Sequence, residues 1–250
     1  MKFTIYRGDH KSLQQRSAED FDHLSPSADV ILARVHDSWL RPLELPTLSW
    51  LVRQIPDAIK PDYLTIIGVI GAFVCGTSYW ASSLSPKCLW LASTGLIVNW
   101  LGDSLDGSLA RFRKIERPRY GFFVDNSADI VSDACIFLGL GASPYMRFDI
   151  ACLALLSFYI ASLFTLIRAI TCKVFQIGYY GIGPTEIHLG LICYNIYLLT
   201  IGPFSIETRF GLMSPIDCFT IVMFGAVLTS LLVMILSEGR RLAKEDGQTH

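Results

Sequence analysis

The chain is poor in charge. Asp, Glu, Lys and Arg make up 17% of its 250 residues, against 52% hydrophobic residues. A soluble domain usually carries about a quarter charged residues, and the mean hydropathy of +0.43 also points to a membrane protein. Neither sign is in excess: the net charge is −1, so no global basic field favours nucleic acid. The seven cysteines contain no C-x-x-C pair, and Cys75, Cys135, Cys152, Cys193 and Cys218 fall inside apolar runs. Free thiols are expected, and a disulfide framework is not. The five histidines form no ligand cluster. The first apolar run lies far from the N-terminus, so no cleavable signal peptide is expected.

What the chain does have is a run of apolar segments. Residues 1–37 are polar and mixed in charge and read as a cytoplasmic arm, in which Ala28 to Val35 suit a short helix. In residues 38–60, Trp39, Leu43, Leu48, Trp50 and Val52 alternate with Arg41, Glu44 and Arg53. Prolines 42, 46 and 56 argue against one continuous helix there. Two readings stay open: an amphipathic segment in the headgroup plane anchored by tryptophans, or a segment packed on the protein's own helices. Residues 61–237 then hold the candidate spans Tyr63–Leu84, Cys88–Leu105, Phe122–Leu140, Ile150–Thr171, Ile187–Phe204 and Ile216–Leu236. Each is near the roughly 20 residues a bilayer needs. Residues 238–250 form a tail. The predicted fold class is therefore all-α, a polytopic membrane protein of about six transmembrane helices.

Loop charges predict its orientation. Arg111, Arg113, Lys114, Arg117 and Arg119 lie between the second and third spans, Arg168 and Lys173 follow the fourth, and Arg240, Arg241 and Lys244 follow the sixth. The opposite loops carry only Lys87, Arg147 and Arg209. Both termini are expected on the cytoplasmic side of a multi-pass membrane protein, of a bacterial inner membrane or an ER-type membrane.

Four carboxylates interrupt this pattern. Asp103 and Asp106 close the second span, and Asp125 and Asp129 open the third. Steps of three and four place each pair on one helix face, and a short connection would aim both pairs at one point. Helix capping or snorkelling accounts for one or two such charges, hardly for four in register. Oxygen-only ligands favour Mg²⁺ or Mn²⁺, and the stretch reads as a two-metal phosphoryl-transfer site at the cytoplasmic face. Gly107 and Ala110 lack bulk, through helix packing or to let a ligand approach the backbone. Arg111 can fork onto a phosphate, and Gly121 is expected to begin the third helix tightly. Asp133 continues the four-residue spacing, as a supporting hydrogen-bond partner or in a water-filled cavity.

The pattern Asp103-x-x-Asp106-Gly107-x-x-Ala110-Arg111, nine residues, then Gly121-x-x-x-Asp125-x-x-x-Asp129 resembles the signature of the CDP-alcohol phosphotransferases. The resemblance implies metal binding by Asp103, Asp106 and Asp125, and second-metal and general-base duty for Asp129. It also implies CDP binding by Asp103, Asp106, Gly107, Ala110, Arg111 and Gly121, two Mg²⁺ or Mn²⁺ ions, and a homodimer. The expected partners are a CDP-linked donor and an alcohol acceptor, one of them a lipid, with CMP released and no nucleic acid involved. Family members often show Pro-Asn-x-hydrophobic-Thr before the first span; here Pro61-Asp62-Tyr63-Leu64-Thr65 departs from it at Asp62. Gly183-Pro184-Thr185-Glu186 looks like the Gly-Pro-x-Glu segment of members that handle amino-alcohol headgroups. Glu186 and Tyr180 (or Tyr179) are thus candidate headgroup residues, and a helix-terminal charge is the other reading of Glu186. Two donors remain open, a CDP-aminoalcohol acting on diacylglycerol or CDP-diacylglycerol acting on a small polar alcohol. An ion-coupled carrier and a non-catalytic scaffold are the alternatives from other classes.

Overall fold

The computed structural model describes residues 33–36, 39–172, 174–177, 183–209 and 211–247. Seven helices dominate them: α1 (Arg41–Val52), α2 (Pro61–Ala81), α3 (Cys88–Phe112), α4 (Pro118–Gly141), α5 (Phe148–Cys172), α6 (Pro184–Thr200) and α7 (Pro215–Gly247). Two small sheets accompany them. β1 (Ala33–His36) pairs in parallel with β2 (Val174–Ile177), and β3 (Ile206–Thr208) pairs antiparallel with β4 (Gly211–Met213). The expected short helix at Ala28 to Val35 is corrected where it is described, because Ala33–His36 is extended and finds its hydrogen-bond partners on β2.

Proline starts five of these helices in the first turn, at Pro61, Pro118, Pro184, Pro215 and, in α1, Pro42. There the missing N–H has no intrahelical partner to lose. The expectation that prolines break the 38–60 segment is overturned in part. Pro46 sits inside a continuous α1, at its sixth residue, so its ring removes one helical bond only just beyond the first turn. Leu48 and Val52 of α1 bury against Leu64, Leu105 and Leu109 of α2 and α3. Its other face exposes Leu43 (71%) and Trp50 (61%), and Trp39 just before the helix is 78% exposed. The reading of this segment as packed on the protein's own helices thus describes its buried face.

Among the described residues, three helices are long and apolar enough to cross a bilayer, over Pro61–Ala81, Phe148–Thr171 and Pro215–Lys244. The remaining candidates fall short for a physical reason. Aspartates lower the hydropathy of α3 and α4, and α6 has only 17 residues.

The centre of the bundle is α2, which lies between α3 and α4. Glycines set both distances. A Cβ on Gly102 would lie 2.5 Å from the Gly68 Cα, and one on Gly71 would lie 2.7 Å from the Asn99 nitrogen. On the other face, a Cβ on Gly139 would lie 2.3 Å from the Gly76 Cα. Such small-residue contacts let backbones touch where lipid supplies no hydrophobic drive. Helix α6 packs on α3, α5 on α4, and α7 on α5. The apolar core gathers Ala72, Cys75, Tyr79, Leu96, Ile136 and Leu140 at the middle of the bundle. Within it Tyr79 donates to the Asn195 Oδ1 at 3.1 Å, and Asn195 donates to the Ser93 Oγ at 3.0 Å. At the end far from the aspartates, buried Asp217 accepts from the backbone N–H of Arg147 (3.0 Å) and of Ser214 (2.8 Å), closing the start of α7.

Candidate active site

Helix α3 carries Asp103 and Asp106 in its last three turns and stops in a tight reversal. The Lys114 N–H donates to the Arg111 carbonyl at 3.1 Å and the Ile115 N–H to the Ala110 carbonyl at 3.0 Å, with Lys114 at φ 57°. This is the double closure of a Schellman motif, with lysine where glycine is usual. A few residues later Pro118 starts α4, which brings Asp125 and Asp129 back toward α3.

The four acids do come together. Asp103 is in electrostatic range of Asp106, Asp125, Asp129 and Asp133, and Asp106 and Asp129 are each in range of Asp125. The carboxyl groups of Asp103 and Asp129 are in hydrogen-bonding contact. Asp106 is the most enclosed, 9% exposed; it accepts from the Thr65 hydroxyl and from the Gly107 N–H. Asp103 is half-buried, and Asp125 and Asp129 are exposed on the same side. A small cleft of about 10 Å³, roughly room for one water, lies beside Asp103 and Asp129 and is lined also by Thr65, Gly68, Asn99 and Ser132, among others.

No group of three or more His, Cys, Asp or Glu among the described residues is set to hold an ion as it stands. The donors themselves suit one. Two abutting carboxylates on facing helices need a shared proton or a cation between them, and an all-oxygen set matches Mg²⁺ or Mn²⁺. Asp106 departs from such a cluster by turning one oxygen to Thr65 and the other to its own helix.

The flanking residues differ in role. A Cβ on Gly107 would lie 3.3 Å from the Arg111 Nη1, so the missing side chain leaves room for the Arg111 guanidinium. Arg111 donates to the Ser108 Oγ at 3.2 Å and lies on the exposed side of the helix end. Ala110 is half-buried beside it. Gly121 meets nothing within 4 Å, and its N–H donates to the Arg117 carbonyl at 2.7 Å in the first turn of α4.

Two basic residues of the connecting loop are absorbed by structure. Arg113 donates to the carbonyls of Ile59 (2.6 Å), Pro56 (2.9 Å) and Ile55 (3.1 Å), tying the α1–α2 connection to the end of α3. Arg117 pairs with Asp62, the residue that departs from the family pattern, and lies 4.2 Å from the Tyr120 ring centroid. Glu186 spans two helix starts: its oxygens accept from the Leu40 N–H at 3.0 Å and from the Gly183 N–H at 2.8 Å. Trp100 donates to the Thr185 hydroxyl and Thr185 to Glu44, completing the link from α3 through α6 to α1. Tyr179 and Tyr180 lie outside the described residues.

The sequence reading missed Thr65, Asn99, Ser132 and His188 as neighbours of the site. Asn99 had a legible signal, as an amide in an apolar run one turn before Asp103. His188 had none, because only the fold brings α6 to α3.

The sequence model of the CDP-alcohol phosphatidyltransferase family matches residues 58–237. The chain belongs to this family. Among curated relatives, archaetidylinositol phosphate synthase of Methanothermobacter thermautotrophicus is 31% identical over 102 residues, 40% of this chain and 49% of that protein. The archaetidylinositol phosphate synthase of Pyrococcus horikoshii is 32% identical over 104 residues, 42% of this chain and 52% of that protein. Cholinephosphotransferase 1 of Danio rerio is 27% identical over 164 residues, 61% of this chain and 41% of that protein. The chain spans about half the length of these curated relatives.

Proposed function

We propose that the protein transfers a substituted phosphate from a CDP-linked donor to an alcohol hydroxyl and releases CMP. The observation that carries this is the meeting of Asp103 and Asp129 across α3 and α4, with Asp106 and Asp125 in range. Asp103, Asp106, Asp125 and Asp129 would hold Mg²⁺ or Mn²⁺, two ions in the reading proposed. Bound there, the cations offset the negative charge of the diphosphate. The exposed carboxylate of Asp129 takes the proton of the acceptor hydroxyl as its oxygen bonds to the phosphorus distal to cytidine; the bond from that phosphorus to the CMP oxygen breaks. Arg111 steadies the diphosphate by a forked contact, and Gly107 keeps space for that guanidinium. One substrate is a lipid, which explains a site at the end of apolar helices. The active protein is a homodimer with both termini and the site on the cytoplasmic face.

Two donors fit this chemistry, CDP-diacylglycerol with a polar alcohol or a CDP-aminoalcohol with diacylglycerol. Each Glu186 oxygen accepts one backbone N–H, from Leu40 and from Gly183, and keeps a further lone pair for an amino-alcohol headgroup. The deciding experiment measures CMP release in mixed micelles with Mg²⁺ or Mn²⁺, one arm for each pairing. Asp129→Asn should lower turnover by about 10²–10⁴-fold, and chelation should abolish it. CMP release in neither arm would favour a carrier or a scaffold and sink the proposal.

A further inference from the structure

Helices α3 and α4 both lie against α2, yet near the site they reach each other chiefly through side chains. Asp103 meets Asp129. One turn deeper, the Asn99 Nδ2 donates to the Ser132 Oγ at 3.2 Å and to the Gly68 carbonyl at 3.0 Å. Asn99 is four residues before Asp103, and Ser132 three after Asp129, so the two contacts stack along one helix face. A backbone carbonyl only accepts, and Gly68 therefore fixes which end of the Asn99 amide is nitrogen. The Asn99 oxygen is then turned to α6, where the His188 Nε2 lies 2.8 Å away. The His188 Nδ1 lies 2.9 Å from the Pro184 carbonyl; that oxygen, like the Asn99 oxygen, only accepts, so a neutral ring gives its single N–H to one of the two, and the Nε2–H tautomer gives it to Asn99.

We infer that His188 is a positioning residue for the aspartate site: by donating from Nε2 to Asn99, it locks the amide that ties α2, α3 and α4 in register one turn beneath Asp103 and Asp129. Asn99 and Ser132 line the same cleft as the two acids, so a loosened amide is felt directly at the carboxylates. Supporting hydrogen bonds of this kind typically change metal affinity or activity about 10–100-fold when lost. This inference rests on the phosphotransfer reading, and its test separates the two.

The full chain, reconstituted in lipid, is compared with His188→Leu, His188→Gln and Ser132→Ala. Steady-state CMP release is measured, and binding of Mn²⁺ alone is followed by electron paramagnetic resonance. His188→Leu should lower kcat at least about tenfold while KM for the CDP donor stays within about twofold, and it should weaken Mn²⁺ binding in parallel. Gln, which can still donate an N–H to Asn99, should restore kcat to within about threefold of the parent. Ser132→Ala breaks the same bridge from α4 and should shift kcat and Mn²⁺ affinity in the same direction, which keeps the test alive if His188→Leu does not fold. Equal loss in the Leu and Gln variants, a change confined to KM, or parent-like behaviour of both Leu and Ser132→Ala overturns the inference. A parent that binds Mn²⁺ but releases no CMP overturns the phosphotransfer reading alone, and the Mn²⁺ affinities of the variants then decide this one. A parent that does neither overturns both.

Discussion

Gly102→Ala probes the link from backbone contact to chemistry most directly. The added Cβ would lie 2.5 Å from the Gly68 Cα and 2.6 Å from both the Gly68 nitrogen and the Leu64 carbonyl oxygen. Those are backbone atoms of α2, so no side chain can swing aside. Ordinary contact begins near 3.4 Å, and α3 must move from α2 by about 1 Å, a displacement that can cost on the order of 100-fold in rate when it reaches reacting groups. It does reach them, because Asp103 is the next residue and Asp106 is held by Thr65 on α2. Overpacking a tight contact also costs about 1–3 kcal/mol of stability. The variant should thus remain folded in lipid, lose about 1–3 kcal/mol, and fall on the order of 100-fold in CMP release. Gly190→Ala supplies the contrast, since its Cβ meets nothing within 4 Å. It should gain up to about 1 kcal/mol from helix propensity with unchanged turnover. Thermal unfolding in detergent and CMP release measure both. If Gly102→Ala matches the parent in stability and rate, the glycine contact does not set the site and the reasoning fails.

Further predictions concern the connections around the site. Arg113→Ala strips the carbonyls of Ile55, Pro56 and Ile59 of a charged donor and should cost about 2 kcal/mol or more in thermal unfolding. Lys114→Gly relieves a left-handed conformation that costs a non-glycine residue about 1–2 kcal/mol, less the flexibility glycine adds to the unfolded chain. A modest rise in melting temperature is expected. Glu186→Gln keeps one oxygen acceptor where Leu40 and Gly183 need two. It should loosen α1 and cost about 1.5–3 kcal/mol, seen as earlier proteolysis of the α1–α2 connection, with little effect on KM for either substrate. A large KM effect instead would point back to a headgroup role.

Much of this protein was legible in one dimension. Steps of three and four between aspartates, at the ends of apolar runs, dictate shared helix faces, and covalent geometry alone makes that so. Proline starts and apolar length likewise mark most helix boundaries locally. Pro46 was misread because a proline just past the first turn removes one hydrogen bond, which the burial of Leu48 and Val52 offsets. Sequence spacing cannot say what occupies the next helix. Only the fold brings Thr65 to Asp106, Asp62 to Arg117, and His188 to Asn99 across 89 residues. It also gives Glu186 two helix N-termini to serve and makes Gly107 a berth for Arg111. Periodicity determines which face a residue occupies; the glycine contacts that seat α3 and α4 on α2 decide what that face meets.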